Sequence, residues 1–88
     1  MDNFGIKRQN LIKENKIIRW PKKLIEKEYI LNIISEKIIL NRKYSKKEIN
    51  KIIIENIAFE DYVIIRRELI ERNYLYRTKD YKEYWREK

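Results

Sequence analysis

The stretch that decides the fold is residues 44–85, which read YSKKEINKIIIENIAFEDYVIIRRELIERNYLYRTKDYKEYW. Near its start, Ser45 and Glu48 form the Ser-x-x-Glu pattern of a capping box, in which the hydroxyl and the carboxylate each accept a backbone N–H. Apolar residues then recur at helical spacing, at Ile49, Ile52, Ile53 and Ile57. This spacing predicts a helix over residues 46–57, numbered helix two because another precedes it.

A third helix and a hairpin complete the stretch. Asp61 suits the N-cap of helix three, because its carboxylate accepts unpaired N–H groups at a helix start. The helix is predicted to end at Arg72, since Asn73 tolerates the left-handed conformation that follows many helices. Residues 74–78 and 82–86 alternate as two strands would. A capped helix, a turn, another helix and a small antiparallel hairpin, in this order, predict an α+β winged helix-turn-helix with a C-terminal wing.

Upstream, the sequence predicts a short strand behind an N-terminal arm. Residues 16–20 favour a strand, which Pro21 stops because the residue before a proline avoids helical geometry. Residues 1–15 are polar and hold the single glycine, so we expect a flexible or weakly helical arm, with any helix over Lys7–Lys13. The winged-helix-like domain is predicted to span residues 16–88.

Helix one, predicted over residues 22–40, is apolar on two sides. One stripe contains Leu24, Leu31, Ile34 and Ile38. A second stripe, roughly 100–150° away at 100° per residue, contains Ile25, Tyr29, Ile33 and Leu40. A helix with two apolar sides is expected to be covered on both. The second cover is either the N-terminal strand or another copy of the chain, which would form a homodimer through helix one.

The composition favours a polyanion as the partner. The chain has 88 residues and a formal net charge of +8, and such a field favours DNA, RNA or an anionic membrane surface. No apolar run approaches the roughly 20 residues that span a bilayer, and the N-terminus lacks the apolar core of a signal peptide. We therefore expect a cytoplasmic protein whose partner is double-stranded DNA and not a membrane.

Catalysis is not expected. The chain has no histidine and no cysteine, which removes the commonest general base and the thiolate ligands of metals. The single glycine excludes a glycine-rich phosphate loop, and the acidic residues alternate with lysines along helix faces instead of clustering. We predict that the protein is not an enzyme and has no catalytic residues, metal site, cofactor or small-molecule substrate.

Basic residues on the linker, on helices two and three and on the wing are the candidates for contacting duplex DNA: Arg42, Lys43, Lys46, Lys47, Lys51, Arg67, Lys79 and Lys82. Most occupy positions that anchor a DNA backbone and do not read bases. Arg67 is predicted to point outward, toward a phosphate or a guanine edge; the alternative is a solvated side chain in i,i+4 contact with Glu71. Glu60 and Asp61 argue against simple base reading by the start of helix three, because carboxylates repel phosphates.

Structural roles are assigned to Ser45, Glu48, Asp61 and Arg66. The first three are helix caps, as described above. Arg66 falls on the core side of helix three, where an unpaired charge is costly. We therefore expect an ion pair between Arg66 and either Asp61 or Glu55.

The predicted wing is rich in aromatic residues, namely Tyr74, Tyr76, Tyr81, Tyr84 and Trp85. Such rings can stack on unpaired bases. In a two-stranded wing, however, alternate residues must pack on the helices, so Tyr76, Tyr84 and Trp85 cannot all face one way. Base stacking, and with it RNA binding, is the least favoured hypothesis.

A set of motifs spread along the chain carries a family resemblance. Its residues are Pro21, Lys23, Tyr44, Ser45, Glu48, Ile49, Asn50, Asp61, Ile65, Arg66, Arg67, Leu69, Ile70, Leu75, Arg77, Tyr84 and Trp85. In identity and spacing they resemble the pattern of the domain of unknown function 2087 family over about residues 17–86. The sequence departs from that pattern at Lys46, where the family tends to have Glu, and at Asn73, where it favours Gly. The resemblance implies a winged-helix-like domain of the kind found in bacterial proteins described as transcriptional regulators.

Two hypotheses of function follow. The first is a non-enzymatic, DNA-binding transcriptional regulator that acts as a homodimer. The second is a protein–protein interaction module that uses the winged-helix scaffold without binding DNA. It would use the apolar stripe of helix one, or Ile54 and Ile64, which are expected to be exposed.

Overall fold

The computed structural model describes residues 8–87. Within this range the chain forms three α-helices and two short antiparallel hairpins, a winged-helix-like α+β fold, as the sequence predicts. After a 3-10 turn over Arg8–Asn10, the elements are β1 (Ile12–Lys13), β2 (Lys16–Ile17), α1 (Leu24–Ser35), α2 (Lys46–Glu55), α3 (Tyr62–Glu71), β3 (Tyr76–Arg77) and β4 (Tyr84–Trp85).

Helix α2 begins with the predicted capping box. The Ser45 Oγ accepts the Glu48 N–H at 3.1 Å, and the Glu48 Oε1 accepts the Ser45 N–H at 2.9 Å. The helix ends at Glu55, two residues before the predicted end. It ends early because the chain turns to form a parallel bridge between Ile57 and Ile17.

Helix α3 begins and ends close to the predicted residues. The Asp61 Oδ1 accepts the Ile64 N–H at 3.3 Å. At the other end Asn73 is left-handed, with φ 65°. This conformation turns the chain so that the N–H groups of Tyr74 and Leu75 donate to the Leu69 carbonyl, at 2.8 and 3.0 Å. The turn directs the chain from α3 into the wing.

Helix α1 is shorter than predicted and ends at Ser35. Tight turns follow, in which the Lys37 N–H donates to the Ile34 carbonyl and the Ile38 N–H donates to the Ser35 carbonyl. Ile38, which follows these turns, is buried in the core. The chain then reaches the linker through Asn41, whose φ is 61°.

The linker pairs with the sheet of the wing on the free side of β4. In the C-terminal hairpin Tyr76 pairs with Trp85. On the other side of β4, Tyr44 and Tyr84 exchange backbone hydrogen bonds of 2.7 and 2.8 Å. Tyr84 is buried, whereas the rings of Tyr76 and Trp85 stack with their centroids 6.2 Å apart. The wing aromatics are therefore divided between the core and the outer face, as the alternation predicts.

The N-terminal segment forms a hairpin where the sequence predicts a single strand over residues 16–20. Strands β1 and β2 are joined by Glu14 and Asn15, both at positive φ (53° and 68°), which is typical of a type I′ turn. Leu11 and Ile12 are buried, so part of the predicted arm contributes to the core. A 3-10 turn and a strand occupy residues 8–13 in place of the helix considered there; residues 1–7 lie outside the described range. The division of the chain into an arm and a domain stays a prediction.

The core forms where the N-terminal hairpin, the three helices and the wing meet. Its buried apolar residues are Leu11, Ile12, Ile17, Ile30, Leu31, Ile34, Ile38, Tyr44, Ile49, Ile53, Ile57, Ile65, Leu69, Leu75 and Tyr84. On α1, Tyr29 and Ile33 pack partly against this core, while Leu24 and Ile25 are exposed, as is Leu40 after the helix. Leu24 thus departs from the first predicted stripe, and the second stripe is only partly covered. Over residues 8–87 no helix is both long and apolar enough to cross a membrane.

Candidate nucleic-acid interface

A solvent-open pocket lies between the start of α2, one side of α3 and the wing, with a volume of about 290 Å³. We name it the basic pocket. Its described lining residues are Lys46, Arg66, Arg67, Ile70, Glu71, Arg77, Tyr81 and Tyr84. Four of these side chains carry a positive charge and one, Glu71, carries a negative charge. The lining therefore has an excess of three positive charges, which makes the pocket attractive to anions.

Arg66 is held by a neutral partner. Its Nη1 donates to the Asn50 Oδ1 at 2.6 Å, in a half-buried contact between α3 and α2. The predicted ion pair with Asp61 or Glu55 is wrong, since the Asp61 carboxylate caps α3 and Glu55 lies exposed at the end of α2. Because a carboxamide carries no charge, this bond orients the guanidinium without neutralising it.

Tyr81 connects the wing turn to the start of α2. The Arg77 guanidinium carbon lies 3.9 Å from the centroid of the Tyr81 ring, and the Lys46 Nζ lies 5.9 Å from it. Both distances fall in the range of cation–π attraction. Tyr81 itself is exposed and has φ 62°. The ring thus brings two cations from distant parts of the sequence to one edge of the basic pocket.

The wing turn is organised by Asp80. Its Oδ1 accepts the Thr78 hydroxyl at 2.6 Å and the Lys82 N–H at 3.1 Å. These hydrogen bonds, the one from Thr78 first, hold the pKa of the Asp80 carboxyl below its usual value. The turn forms in this way without the Asp-Gly pair that commonly supplies it.

Only two of the predicted DNA contacts, Lys46 and Arg67, line the basic pocket. On the linker, the Arg42 guanidinium lies 4.7 Å from the Tyr44 ring centroid. The neighbouring Lys43 Nζ lies 3.7 Å from the Glu83 Oε1 and 5.0 Å from the Trp85 ring centroid. The linker cations therefore lie against the wing sheet.

The remaining four candidates lie on two exposed surfaces. Lys47 and Lys51, one helical turn apart on α2, border a shallow apolar depression that includes Ile54. Lys79 and Lys82 are exposed on the wing turn. The structure therefore places two of the predicted contacts in the pocket and the other six on surfaces outside it.

Arg67 is exposed on α3, as predicted. Among the described residues, the ion pair within this helix joins Arg72 to Glu68, with Nε and Oε1 2.6 Å apart, and the hydrogen bond to Glu68 raises the pKa of Arg72. No ion pair between Arg67 and Glu71 is seen in this part of the chain. Ile64, expected to be exposed, is half-buried against the core.

Sequence reasoning missed three contributors to this site. In the sequence Arg77 stands out only among the residues of the family resemblance, Arg66 only as a structural residue, and Tyr81 only as one of several wing aromatics. The spacing of Asn50 and Arg66 in the sequence contains no indication that they meet, because the contact depends on how α2 packs against α3. The position of Tyr81 likewise depends on the conformation of the wing turn.

Comparison with known proteins identifies one family. Residues 16–86 match the family model described as "Uncharacterized protein conserved in bacteria (DUF2087)". This range contains α1, α2, α3, the wing and strand β2. No curated protein and no solved structure gives a significant match.

Proposed function

The chain belongs to the DUF2087 family, and we propose that it is a non-enzymatic transcriptional regulator that binds duplex DNA. The observation that carries this proposal is the basic pocket, together with exposed basic residues on the linker, α2 and the wing turn. Phosphate contacts supply most of the affinity of a protein for DNA. A protein with this role would act in the bacterial cytoplasm.

The proposed contacts are mainly to the DNA backbone. Asp61 caps α3 and Glu60 is exposed beside it, so the start of this helix presents negative charge to a duplex. Arg67, exposed in the middle of α3, is better placed to reach a phosphate or a guanine edge. The linker, α2 and wing cations would then fix the orientation of the domain on the duplex.

We propose that the regulator is a homodimer that pairs through α1. Leu24 and Ile25 are exposed in the first turn of α1, and Ile39 and Leu40 are exposed in the segment that follows the helix. Two-fold symmetric dimers bury the same surface of each copy, and they bind palindromic DNA sites. Sedimentation at several concentrations tests this arrangement, with Ile25→Glu expected to yield a monomer. A wild-type chain that stays monomeric at high concentration would contradict it.

The decisive experiment is a selection of binders from a pool of random duplex DNA at near-physiological salt. An enriched sequence whose affinity falls steeply with salt is expected, by about 0.9 in log K per unit of log salt for each phosphate neutralised. The double variant Lys47→Glu/Lys51→Glu should lose binding and keep its circular dichroism spectrum. The matched control Lys22→Glu/Lys23→Glu makes the same change of charge at exposed positions before α1 and should bind nearly as well as wild type.

The alternative is a protein–protein interaction module without DNA binding. The observation that favours it is the exposed Ile54, 47% accessible, in the apolar depression of α2. If the chain is such a module, an identified protein partner should bind the wild-type chain, and the Ile54→Glu variant should lose this binding. Random DNA would then give no enrichment, and Lys47→Glu/Lys51→Glu would change DNA retention only in low salt.

A further inference from the structure

We propose that the basic pocket is a binding site for a single phosphate group. The inference concerns the chemical group that the pocket accepts and does not depend on the proposal that the partner is DNA. A phosphodiester of a nucleic-acid backbone and a phosphomonoester of a small molecule share this group. The experiment below distinguishes these two sources.

The cations of the basic pocket have no ion-pair partner among the described residues. Within the described residues, ion pairs join Lys43 to Glu83 and Arg72 to Glu68, and neither pair involves a cation of the basic pocket. Arg66 has a neutral hydrogen-bond partner although it is half-buried. Like charges that line one pocket repel each other, and Glu71 offsets only one of the four here. A bound phosphate, which carries one negative charge as a diester and up to two as a monoester, would reduce that repulsion.

Two arginines of the basic pocket retain N–H donors that no protein group uses in the described part of the chain. The Arg66 guanidinium uses one donor for Asn50, and the Arg77 guanidinium uses one for the Thr78 carbonyl at 3.1 Å. A guanidinium has five N–H donors, so both retain donors for a ligand. Their planar forks match the oxygens of a phosphate in bidentate hydrogen bonds. Arg67 and Lys46 add charge and further donors at the same pocket.

The positions of two cations beside Tyr81 and the volume of the pocket also suit a phosphate. The Tyr81 ring lies near Arg77 and Lys46 at the pocket edge, and cation–π attraction favours these positions before any anion binds. This reduces the conformational entropy lost on binding. The pocket has a volume of about 290 Å³ and is open to solvent, and this is well above the roughly 10–15 Å³ of such volume that one water needs. The site therefore accommodates a phosphate together with part of the group esterified to it.

The test is a titration of the full chain with inorganic phosphate at constant ionic strength, followed by NMR. Saturable shifts are expected at the Arg66 and Arg77 side chains and at the Tyr81 amide. The informative variant is Asn50→Asp, which keeps the acceptor for Arg66 but supplies a carboxylate that neutralises it in place. The phosphate Kd should rise about tenfold, the scale of one charge-assisted hydrogen bond. Arg67→Ala, at an exposed position, should also weaken binding.

Two control variants distinguish phosphate binding at the pocket from general attraction by the net positive charge of the chain. Asn10→Asp adds the same negative charge at an exposed residue of the N-terminal segment, and Lys22→Ala removes an exposed cation before α1. Both should leave the phosphate Kd within about twofold of wild type, the size expected for screened surface charges. Thermal unfolding of each variant verifies the fold. Shifts that do not saturate, or an Asn50→Asp variant that binds phosphate like wild type, would overturn the proposal.

Competition experiments identify which kind of molecule supplies the phosphate group. A short duplex that displaces phosphate from the pocket supports the site and assigns it to the DNA backbone. Adenosine monophosphate that binds the pocket while the duplex does not compete supports the site and assigns it to a small phosphorylated ligand. DNA binding that survives without phosphate binding would refute the pocket proposal alone. Phosphate binding without DNA binding would refute the regulator alone.

Discussion

The Arg66 guanidinium donates a 2.6 Å hydrogen bond to the Asn50 carboxamide, and this bond joins α3 to α2 across sixteen residues of sequence. It fixes the angle at which Arg66 enters the basic pocket. Because the acceptor is neutral, the bond combines orientation of the cation with retention of its charge. The stability of the α2–α3 packing and the charge of the pocket therefore depend on the same pair.

Asn50→Ala is expected to destabilise the fold. The change removes the acceptor of a half-buried charged donor, which costs about 1.5–3 kcal/mol. Urea unfolding measures the free energy difference. Asn32→Ala is the control, because the Asn32 side chain is exposed and donates to the Glu28 carbonyl of its own helix. Equal losses from the two substitutions would show that the Asn50–Arg66 bond contributes nothing specific.

Ser45→Ala is expected to destabilise α2. It removes the hydroxyl that accepts the Glu48 N–H, and the loss of such an N-cap costs about 1 kcal/mol. Ser45→Asp keeps an acceptor at the same position and should retain most of the stability. Thermal or urea unfolding compares the three chains, and an alanine variant as stable as wild type would contradict this role of the cap.

Replacing Glu14 and Asn15 together by Asn and Gly is expected to stabilise the N-terminal hairpin. Both positions have positive φ, and a type I′ turn favours Asn-Gly. Removing the cost of a left-handed glutamate should raise the free energy of unfolding by about 1 kcal/mol. Glu14→Ala alone retains that cost and should give no such gain. A double variant with a lower free energy of unfolding than wild type would contradict the expected cost of the left-handed Glu14.

Acidification is expected to loosen the wing turn through Asp80. Its pKa in the folded chain lies below the ordinary value of 3.8, so folding favours the ionised carboxylate. The contribution to stability is present above the ordinary pKa and is lost as the pH falls through the lower, folded value. The Lys82 amide resonance, which reports its hydrogen bond to Asp80, should shift in that range. In Asp80→Asn, which does not titrate, a shift of the same size would contradict the assignment.

Much of the local structure follows from the sequence because its causes are local. The Ser45–Glu48 capping box, the Asp61 cap and the left-handed turn at Asn73 join groups that lie three to six residues apart in the chain. Those interactions form whenever the segment is helical, whatever else surrounds it. The order of helices and hairpin, and with it the winged-helix-like fold, could therefore be predicted.

The composition of the candidate site could be predicted only in part. Arg67 and Lys46 were assigned to DNA from charge and helical position, and both line the basic pocket. Arg66 was expected to face an acid and instead bonds Asn50. Residue type alone indicates that a half-buried arginine needs a partner, but it does not say which of several polar neighbours lies within reach.

The sequence by itself determined where α2 and α3 start, that α3 stops within one residue of Arg72, and that the chain carries a net charge of +8. Only the tertiary structure decided that Leu11 joins the core, that Tyr81 lies against Arg77 and Lys46, and that four cations surround one pocket. The physical reason is the range of the interactions. Caps and turns depend on neighbours along the chain, whereas the pocket depends on the packing of α2, α3 and the wing, which bring together residues far apart in sequence.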